Sequence, residues 1–152
     1  MDWDEIGNIF FYLVPLVLFL VFNIVFRKQQ EQKRREAVVK SLLSEIDHNY
    51  KLMESFSLRW QTKKFKTATW ERNKNKIGYM ENEGLYFNLV NVYEIIEGFN
   101  REIDMAKKYN STSYLVNIEV DKLKGPLEKS RQGLQAWLEM SKTRKEIPDQ
   151  VV

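Results

Sequence analysis

Few side chains in this sequence are of the types that carry catalysis. His48 is the only histidine and cysteine is absent, so a serine–histidine relay or a histidine metal site would have to rely on one residue. Carboxylate pairs one helical turn apart, such as Glu94 and Glu97, are typical of a solvated helix surface. No phosphate-binding loop, dinucleotide fingerprint or H-E-x-x-H pattern occurs. The sequence therefore predicts a protein that is not an enzyme, with neither a bound metal nor a cofactor.

One segment combines many cations with aromatic rings. Between Arg59 and Lys76 seven basic residues stand against one acidic residue, Glu71. The candidate partner-binding residues in it are Trp60, Lys63, Lys64, Phe65, Lys66, Arg72, Lys74 and Lys76. Such a segment could bind an acidic protein or ligand, rest on anionic lipid, or hold single-stranded nucleic acid by phosphate contacts and base stacking. It could equally be one end of a helical bundle, with the rings buried and the lysines solvated around them.

Two asparagines fall on or beside apolar stripes, where a hydrophobic residue would be expected. They are Asn49 and Asn100. A buried amide costs free energy unless it is hydrogen-bonded, and such residues often fix the register of a bundle. The alternative is a polar site shared with His48, Glu45 or Trp70. We predict Asn49, Trp70 and Asn100 as the polar residues of the bundle interior.

The elements that must position these residues begin with an apolar run. The 21 residues from Ile6 to Phe26 carry no charge. A helix rises about 1.5 Å per residue, so about 20 such residues cross a hydrocarbon core of about 30 Å. A cleaved signal peptide would need small residues near its end, where this chain has Phe22-Asn-Ile-Val-Phe26. We therefore predict one uncleaved transmembrane helix over residues 6–26.

The charges on either side of this helix predict its orientation. Acidic residues alone precede it, and five basic residues follow within nine positions: Arg27, Lys28, Lys33, Arg34 and Arg35. Cytoplasmic flanks carry the excess of Lys and Arg, so these five are the expected topogenic signal. Residues 1–5 would then be a short extracytoplasmic head. The expected location is the plasma or inner membrane, in contact with the lipid bilayer, with the C-terminal domain in the cytoplasm.

The remainder of the chain has helical periodicity. A basic helical connector is predicted over residues 27–38, and apolar residues then recur every three or four positions in stripes that begin at Val39, Leu85 and Val120. The expected fold is all-α: the transmembrane helix, then an antiparallel bundle of three long helices and one short helix over residues 39–146. Residues 147–152 are predicted to be a frayed tail.

Two local features refine this bundle. Thr67 is the expected cap of the short helix, which would run from about Ala68 to Met80. Gly125-Pro126 lies inside the last stripe and predicts a kink or a short break there.

Three short motifs resemble those of a loose group of uncharacterised prokaryotic and phage membrane proteins. They are Leu43-Ser-Glu-Ile-x-x-Asn49, Thr67-x-x-Trp70-Glu71, and Leu89-x-x-x-Tyr93 with Asn100. The resemblance implies one N-terminal span followed by a short helical domain in which Asn49, Trp70 and Asn100 meet. It implies no activity, ligand or catalytic residue.

These observations favour an interaction or scaffold protein at the inner face of a membrane. Its setting would be a membrane complex, as an accessory subunit, or a host or phage defence system. Its partner would be another protein or a second copy of the chain. The alternative is a membrane-tethered protein that binds nucleic acid through residues 59–76.

Overall fold

The computed structural model describes residues 3–56, 62–78 and 83–146, and within these ranges every regular element is a helix. The elements are α1 (Trp3–Glu54), α2 (Ala68–Ile77), α3 (Glu83–Tyr109), a 3-10 helix (Thr112–Asn117) and α4 (Asp121–Glu146). The predicted all-α fold, with three long helices and one short helix, is confirmed. The 3-10 helix is an addition that the apolar spacing does not predict. The predicted tail at 147–152 lies outside the described residues.

The chain divides into two compact units, Met1–Ala37 and Val38–Val152. In the first unit α1 begins at Trp3, so part of the predicted head is already helical. The side chains of residues 13–26 are all exposed, and the large apolar ones range from 47% exposure at Val25 to 72% at Phe22. Within the described residues, one helix is thus long and apolar enough to span a membrane; its most apolar 18 residues have a mean hydropathy of 1.4, and none of them is buried.

Helix α3 carries the longest apolar stripe of the second unit and packs against α4 and the 3-10 helix. Its buried residues are Leu85, Leu89, Val92, Tyr93, Ile96, Ile103 and Ala106. Spacings of three and four place these side chains on one face of the helix. Buried residues of α1 (Val39, Leu42, Ile46, Met53) and of α4 (Leu123, Leu127, Leu134) complete the same core. The three predicted stripes therefore meet in one interior.

Residues 62–77, which we call the bridging segment, form the second element of the bundle along the chain. Only the second half of this segment is helical, as α2. Along α1, Asn49 bonds to Lys66 and the earlier Glu45 bonds to Thr69, so the bridging segment runs antiparallel to α1. The bridging segment is also antiparallel to α3, because Phe65 bonds to Asn100 while Trp70 stacks on the earlier Tyr93. Helix α4 is also antiparallel to α1, because Tyr50 bonds to Glu128 while Asp47 pairs with Arg131.

Helix α4 runs without interruption through Gly125 and Pro126, so the predicted break is absent. Pro126 lies in the second turn, where its missing N–H deprives only the carbonyl of Lys122 of a helical partner. Further along, α4 approaches α3 closely at Gly133. A Cβ placed on Gly133 would lie 2.8 Å from a methyl carbon of Leu85, so glycine allows this contact.

Candidate interaction surface

The non-helical half of the bridging segment is held by two asparagine side chains. Asn49 Nδ2 donates to the carbonyl of Lys66 at 2.8 Å, and Asn49 Oδ1 accepts from the amide of Lys66 at 2.8 Å. Asn100 does the same for Phe65, donating to its carbonyl and accepting from its amide, both at 2.9 Å. Successive residues of an extended chain direct their polar groups to opposite sides. The two side-chain amides, one on α1 and one on α3, therefore satisfy the backbone N–H and C=O groups of two successive non-helical residues.

The helical half is capped by a glutamate from α1. Glu45, which is 5% exposed, accepts from the amides of Thr69 at 2.7 Å and Trp70 at 3.2 Å. These are first-turn amides of α2, which have no partner inside the helix. Thr67 occupies the cap position as predicted, but its side chain makes no capping hydrogen bond. The N-terminus of α2 is therefore capped by the carboxylate of Glu45, which lies 22 positions before Thr67 in the chain.

Tyr93 completes this buried polar cluster. Its hydroxyl donates to Glu45 Oε1 at 2.8 Å, and its ring stacks on Trp70 with centroids 4.8 Å apart and planes 2° from parallel. Burial raises the pKa of the Tyr93 hydroxyl well above its usual range, and the negative charge of Glu45 raises it further. The cluster thus joins α1, α2 and α3 through one carboxylate.

The aromatic rings of the bridging segment face the interior. Phe65 is 3% exposed and packs between Phe56 and Phe99, with ring centroids 6.0 and 6.2 Å away. Trp70 is 5% exposed. These two rings are therefore part of the core. Trp60, the other aromatic residue predicted for partner binding beside Phe65, lies outside the described residues.

The cations of the bridging segment face solvent. Lys64 pairs with Asp104 at 2.6 Å and Lys74 with Glu71 at 2.9 Å. The hydrogen bond to Lys74 lowers the pKa of Glu71, and the same bond raises that of Lys74. The other four cations are exposed, and among the described residues no ion pair involves them: Lys63, Lys66, Arg72 and Lys76. We call these four the basic surface.

Backbone anchoring makes the basic surface ordered rather than loose. The backbone of Lys66 is bonded on both its N–H and its C=O, and α2 begins two residues later at Ala68, where Glu45 caps it. Arg72 and Lys76 are one helical turn apart on the exposed side of α2. The cations of the basic surface are thus attached to a backbone that hydrogen bonds hold in place.

His48 is not part of the basic surface or of the buried polar cluster. It is exposed on α1 and, with Lys40 and Lys51, lines a shallow groove of about 450 Å³. Its neighbour Asp47 pairs with Arg131 at 2.8 Å. Of the three residues named for a polar site shared with the asparagines, His48 is exposed, whereas Glu45 and Trp70 are buried. Across the described ranges no group of three or more potential metal-binding side chains is found.

The remaining predicted residues lie in the first unit. The five topogenic cations are all helical and exposed: Arg27, Lys28, Lys33, Arg34 and Arg35. What the sequence does not reveal is the role of Glu45 and the Tyr93 hydroxyl. The available signal is the four-residue spacing of Glu45 and Asn49, which puts both on one face of α1.

Comparisons of this chain with protein-family models, with curated proteins and with solved structures each find no match. The chemistry of the surfaces is therefore the basis for any functional conclusion.

Proposed function

We propose that this chain is a single-pass, membrane-anchored interaction protein whose helical domain presents the basic surface to an acidic partner protein in the cytoplasm. The observation that carries the proposal is the division of the bridging segment, whose rings are buried while four of its cations are exposed. Its role would be that of a scaffold or accessory subunit in a membrane complex, including one that serves host or phage defence.

The order of the bridging segment supports recognition of a protein. Exposed ion pairs on mobile chains contribute little, because ordering two long side chains opposes the charge attraction. Here Asn49, Asn100 and Glu45 hold the backbone before any partner arrives. Less conformational freedom is then lost on binding, and the cations keep a fixed spacing that a matching set of carboxylates can read.

Nucleic acid is the weaker alternative. Proteins that hold single strands without sequence preference stack successive bases on exposed aromatic rings. Phe65 and Trp70 are buried, and their rings are occupied by Phe56, Phe99 and Tyr93. Lysines alone would leave only phosphate contacts, whose affinity falls steeply with salt.

The membrane anchor is supported by the uncovered apolar stretch of α1. An exposed apolar surface of this extent is unfavourable in water, since each buried Å² is worth about 25 cal/mol. The Lys and Arg that follow Phe26, against acidic residues before Ile6, favour a cytoplasmic C-terminal domain. Alkaline carbonate extraction of membranes tests the anchor: the full chain should stay in the pellet, and its release would contradict insertion.

The partner surface is tested by charge reversal in the full chain. The variant combines Lys63→Glu, Lys66→Glu and Arg72→Glu, which leaves the Lys64–Asp104 pair intact. We expect the proteins that copurify with the unaltered chain from native membranes to be lost. The matched control reverses three exposed lysines of α4, at Lys124, Lys129 and Lys142, and should retain them.

Equal recovery with the two variants would remove the basic surface from consideration. The nucleic-acid alternative is tested by measuring how the binding of single-stranded DNA or RNA to the full chain changes with salt concentration. Tight binding that weakens steeply with salt would favour nucleic acid over an acidic protein.

A further inference from the structure

Helix α1 passes from apolar to basic residues without a gap. Phe26 is 61% exposed, and Arg27 follows it directly. The helix continues unbroken through Lys28, Arg34 and Arg35, whose side chains are all exposed. Among the described residues, none of the ion pairs involves Arg27, Lys28, Arg34 or Arg35.

These cations are not spread evenly around the helix. With 3.6 residues per turn, Arg27, Lys28, Arg34 and Arg35 fall within about 120° of the circumference. Lys33 lies outside this sector, and Glu31 lies within it. Along the axis the distance from Arg27 to Arg35 is about 12 Å. Four positive charges and the one negative charge of Glu31, a net charge of +3, thus lie on one side of slightly more than two turns.

The basic side, about 12 Å long, is somewhat longer than the polar layer of a bilayer, but side-chain length and surface charge extend the reach of that layer. A bilayer is about 40–45 Å thick with a hydrocarbon core of about 30 Å, which leaves roughly 5–8 Å of headgroup on each side. Long basic side chains extend several Å along a helix to keep their charge in that layer. Beyond it, attraction by surface charge persists over a Debye length of about 8 Å. All four cations would therefore be within reach of one leaflet.

We propose that Arg27, Lys28, Arg34 and Arg35 form a binding site for the phosphate groups of anionic phospholipids. Bidentate hydrogen bonds from guanidinium groups would hold the phosphate oxygens, which every phospholipid has. Charge attraction from the four side chains would then favour an anionic lipid over phosphatidylcholine, in which the choline group balances the phosphate charge. The site rests on the proposed membrane insertion of α1 and goes beyond it. A topogenic signal acts while the chain inserts, whereas this site selects the lipids that surround the anchor afterwards.

The test uses the full chain reconstituted in phosphatidylcholine bilayers that contain trace spin-labelled lipid. Electron paramagnetic resonance measures the fraction of labelled lipid that is immobilised by the protein. One basic residue near an anionic surface is worth about a fivefold preference. We therefore expect phosphatidylglycerol to be favoured over phosphatidylcholine by about fivefold or more. The preference should fall to near one when all four cations are replaced, as in Arg27→Gln, Lys28→Gln, Arg34→Gln, Arg35→Gln.

Two controls separate this site from simple net charge. The first removes four charges from the basic surface instead, as Lys63→Gln, Lys66→Gln, Arg72→Gln and Lys76→Gln, and should keep the lipid preference. The second, Lys33→Gln, removes a cation outside the sector and should lower the preference less than Arg34→Gln does.

The outcomes are distinct. Equal immobilisation of the two lipids by the unaltered chain, or a preference that survives the quadruple replacement, would overturn the lipid site. A preference abolished by inorganic phosphate but not by chloride at equal ionic strength would also overturn it, since a free phosphate would then be the ligand. If neither lipid is immobilised, the anchor itself fails, and the proposed function fails with it.

Discussion

Helix α3 and the bridging segment lie side by side in the bundle but are held there by different forces. Helix α3 is held by an apolar stripe of 3.6-residue period, in which Leu89, Val92 and Ile96 are completely buried. The bridging segment buries Phe65, Trp70 and Ile77, and much of its anchoring is polar. The side chains of Glu45, Asn49 and Asn100 bond to its backbone.

The difference follows from the backbone. A helix satisfies its own N–H and C=O groups, so its burial needs only a suitable apolar face. A non-helical stretch enters the interior with both groups unsatisfied, and each unpaired group costs about 1–3 kcal/mol. A side-chain amide has an NH₂ donor beside a carbonyl acceptor, so it can bond to the N–H and the C=O of one residue at once. Shape and volume therefore matter most along α3, whereas hydrogen-bonding identity matters most around the bridging segment.

The largest expected change in the free energy of unfolding comes from the apolar stripe of α3. Leu89→Ala removes a fully buried side chain, so the free energy of unfolding should fall by about 2–5 kcal/mol. Thermal unfolding of the full chain in detergent micelles, followed by near-ultraviolet circular dichroism, measures it. Phe87→Ala on the exposed side of the same helix is the control, with an expected change below about 0.5 kcal/mol. Similar losses at both positions would contradict the assignment of the core face.

Asn49→Ala should follow, because it leaves the partly buried N–H and C=O of Lys66 without their partners. We expect a loss of about 2–3 kcal/mol. Asn91→Ala, which is exposed on α3, controls for helix propensity and should be nearly neutral. Asn49→Leu sharpens the comparison, since it restores apolar volume without restoring the hydrogen bonds. If Asn49→Leu is as stable as the unaltered chain, the segment depends on packing rather than on the amide.

The buried hydroxyl of Tyr93 gives the bundle a pH dependence in alkali. Its pKa is raised in the folded state by burial and by Glu45, whereas in the unfolded chain it ionises near pH 10. Above about pH 10 the unfolded state therefore loses a proton that the folded state keeps. The free energy of unfolding should fall there by up to about 1.4 kcal/mol per pH unit, with the full contribution present below that pH.

Denaturation between pH 8.5 and 11.5 in the full chain and in Tyr93→Phe measures this contribution. The lysines titrate alike in both, so the difference in slope belongs to Tyr93. Tyr109→Phe, at a ring that is 52% exposed, is the control. Parallel curves for the full chain and Tyr93→Phe would show that the hydroxyl is not buried.

The smallest expected effect is a gain. Ser130 on α4 is completely buried, and among the described residues its hydroxyl has no hydrogen-bond partner. Ser130→Ala removes the unsatisfied group and should raise the free energy of unfolding by up to about 1 kcal/mol. Ser113→Ala, at an exposed hydroxyl, should not. A loss of stability in Ser130→Ala would indicate that the hydroxyl has a partner, such as a buried water.

The apolar part of the fold could be predicted from the sequence, and the polar part only in outline. Stripes beginning at Val39 and Leu85 repeat within one element, so local spacing reveals them. The two asparagines are conspicuous because they interrupt such stripes. Their partners, 17 and 35 residues away, depend on tertiary placement that no local pattern contains.

The helix cap and the aromatic residues show the same limit. Thr67 is the locally correct cap residue, yet Glu45 reaches the same amides from another helix. The sequence also leaves open whether Phe65 and Trp70 bind a ligand or fill the core, since both uses need a ring beside lysines. Burial decides between them, and burial depends on where α1 and α3 lie.

Amide hydrogen exchange at Phe65 and Lys66, measured by nuclear magnetic resonance on the full chain in micelles, tests most directly whether side chains hold the bridging segment. Both amides lie outside any helix, yet both should exchange at least about 100-fold more slowly than an open chain, since each is hydrogen-bonded in the interior. Asn100→Ala should release Phe65 first and Asn49→Ala should release Lys66 first. Exchange of both amides at open-chain rates in the unaltered protein would contradict the account.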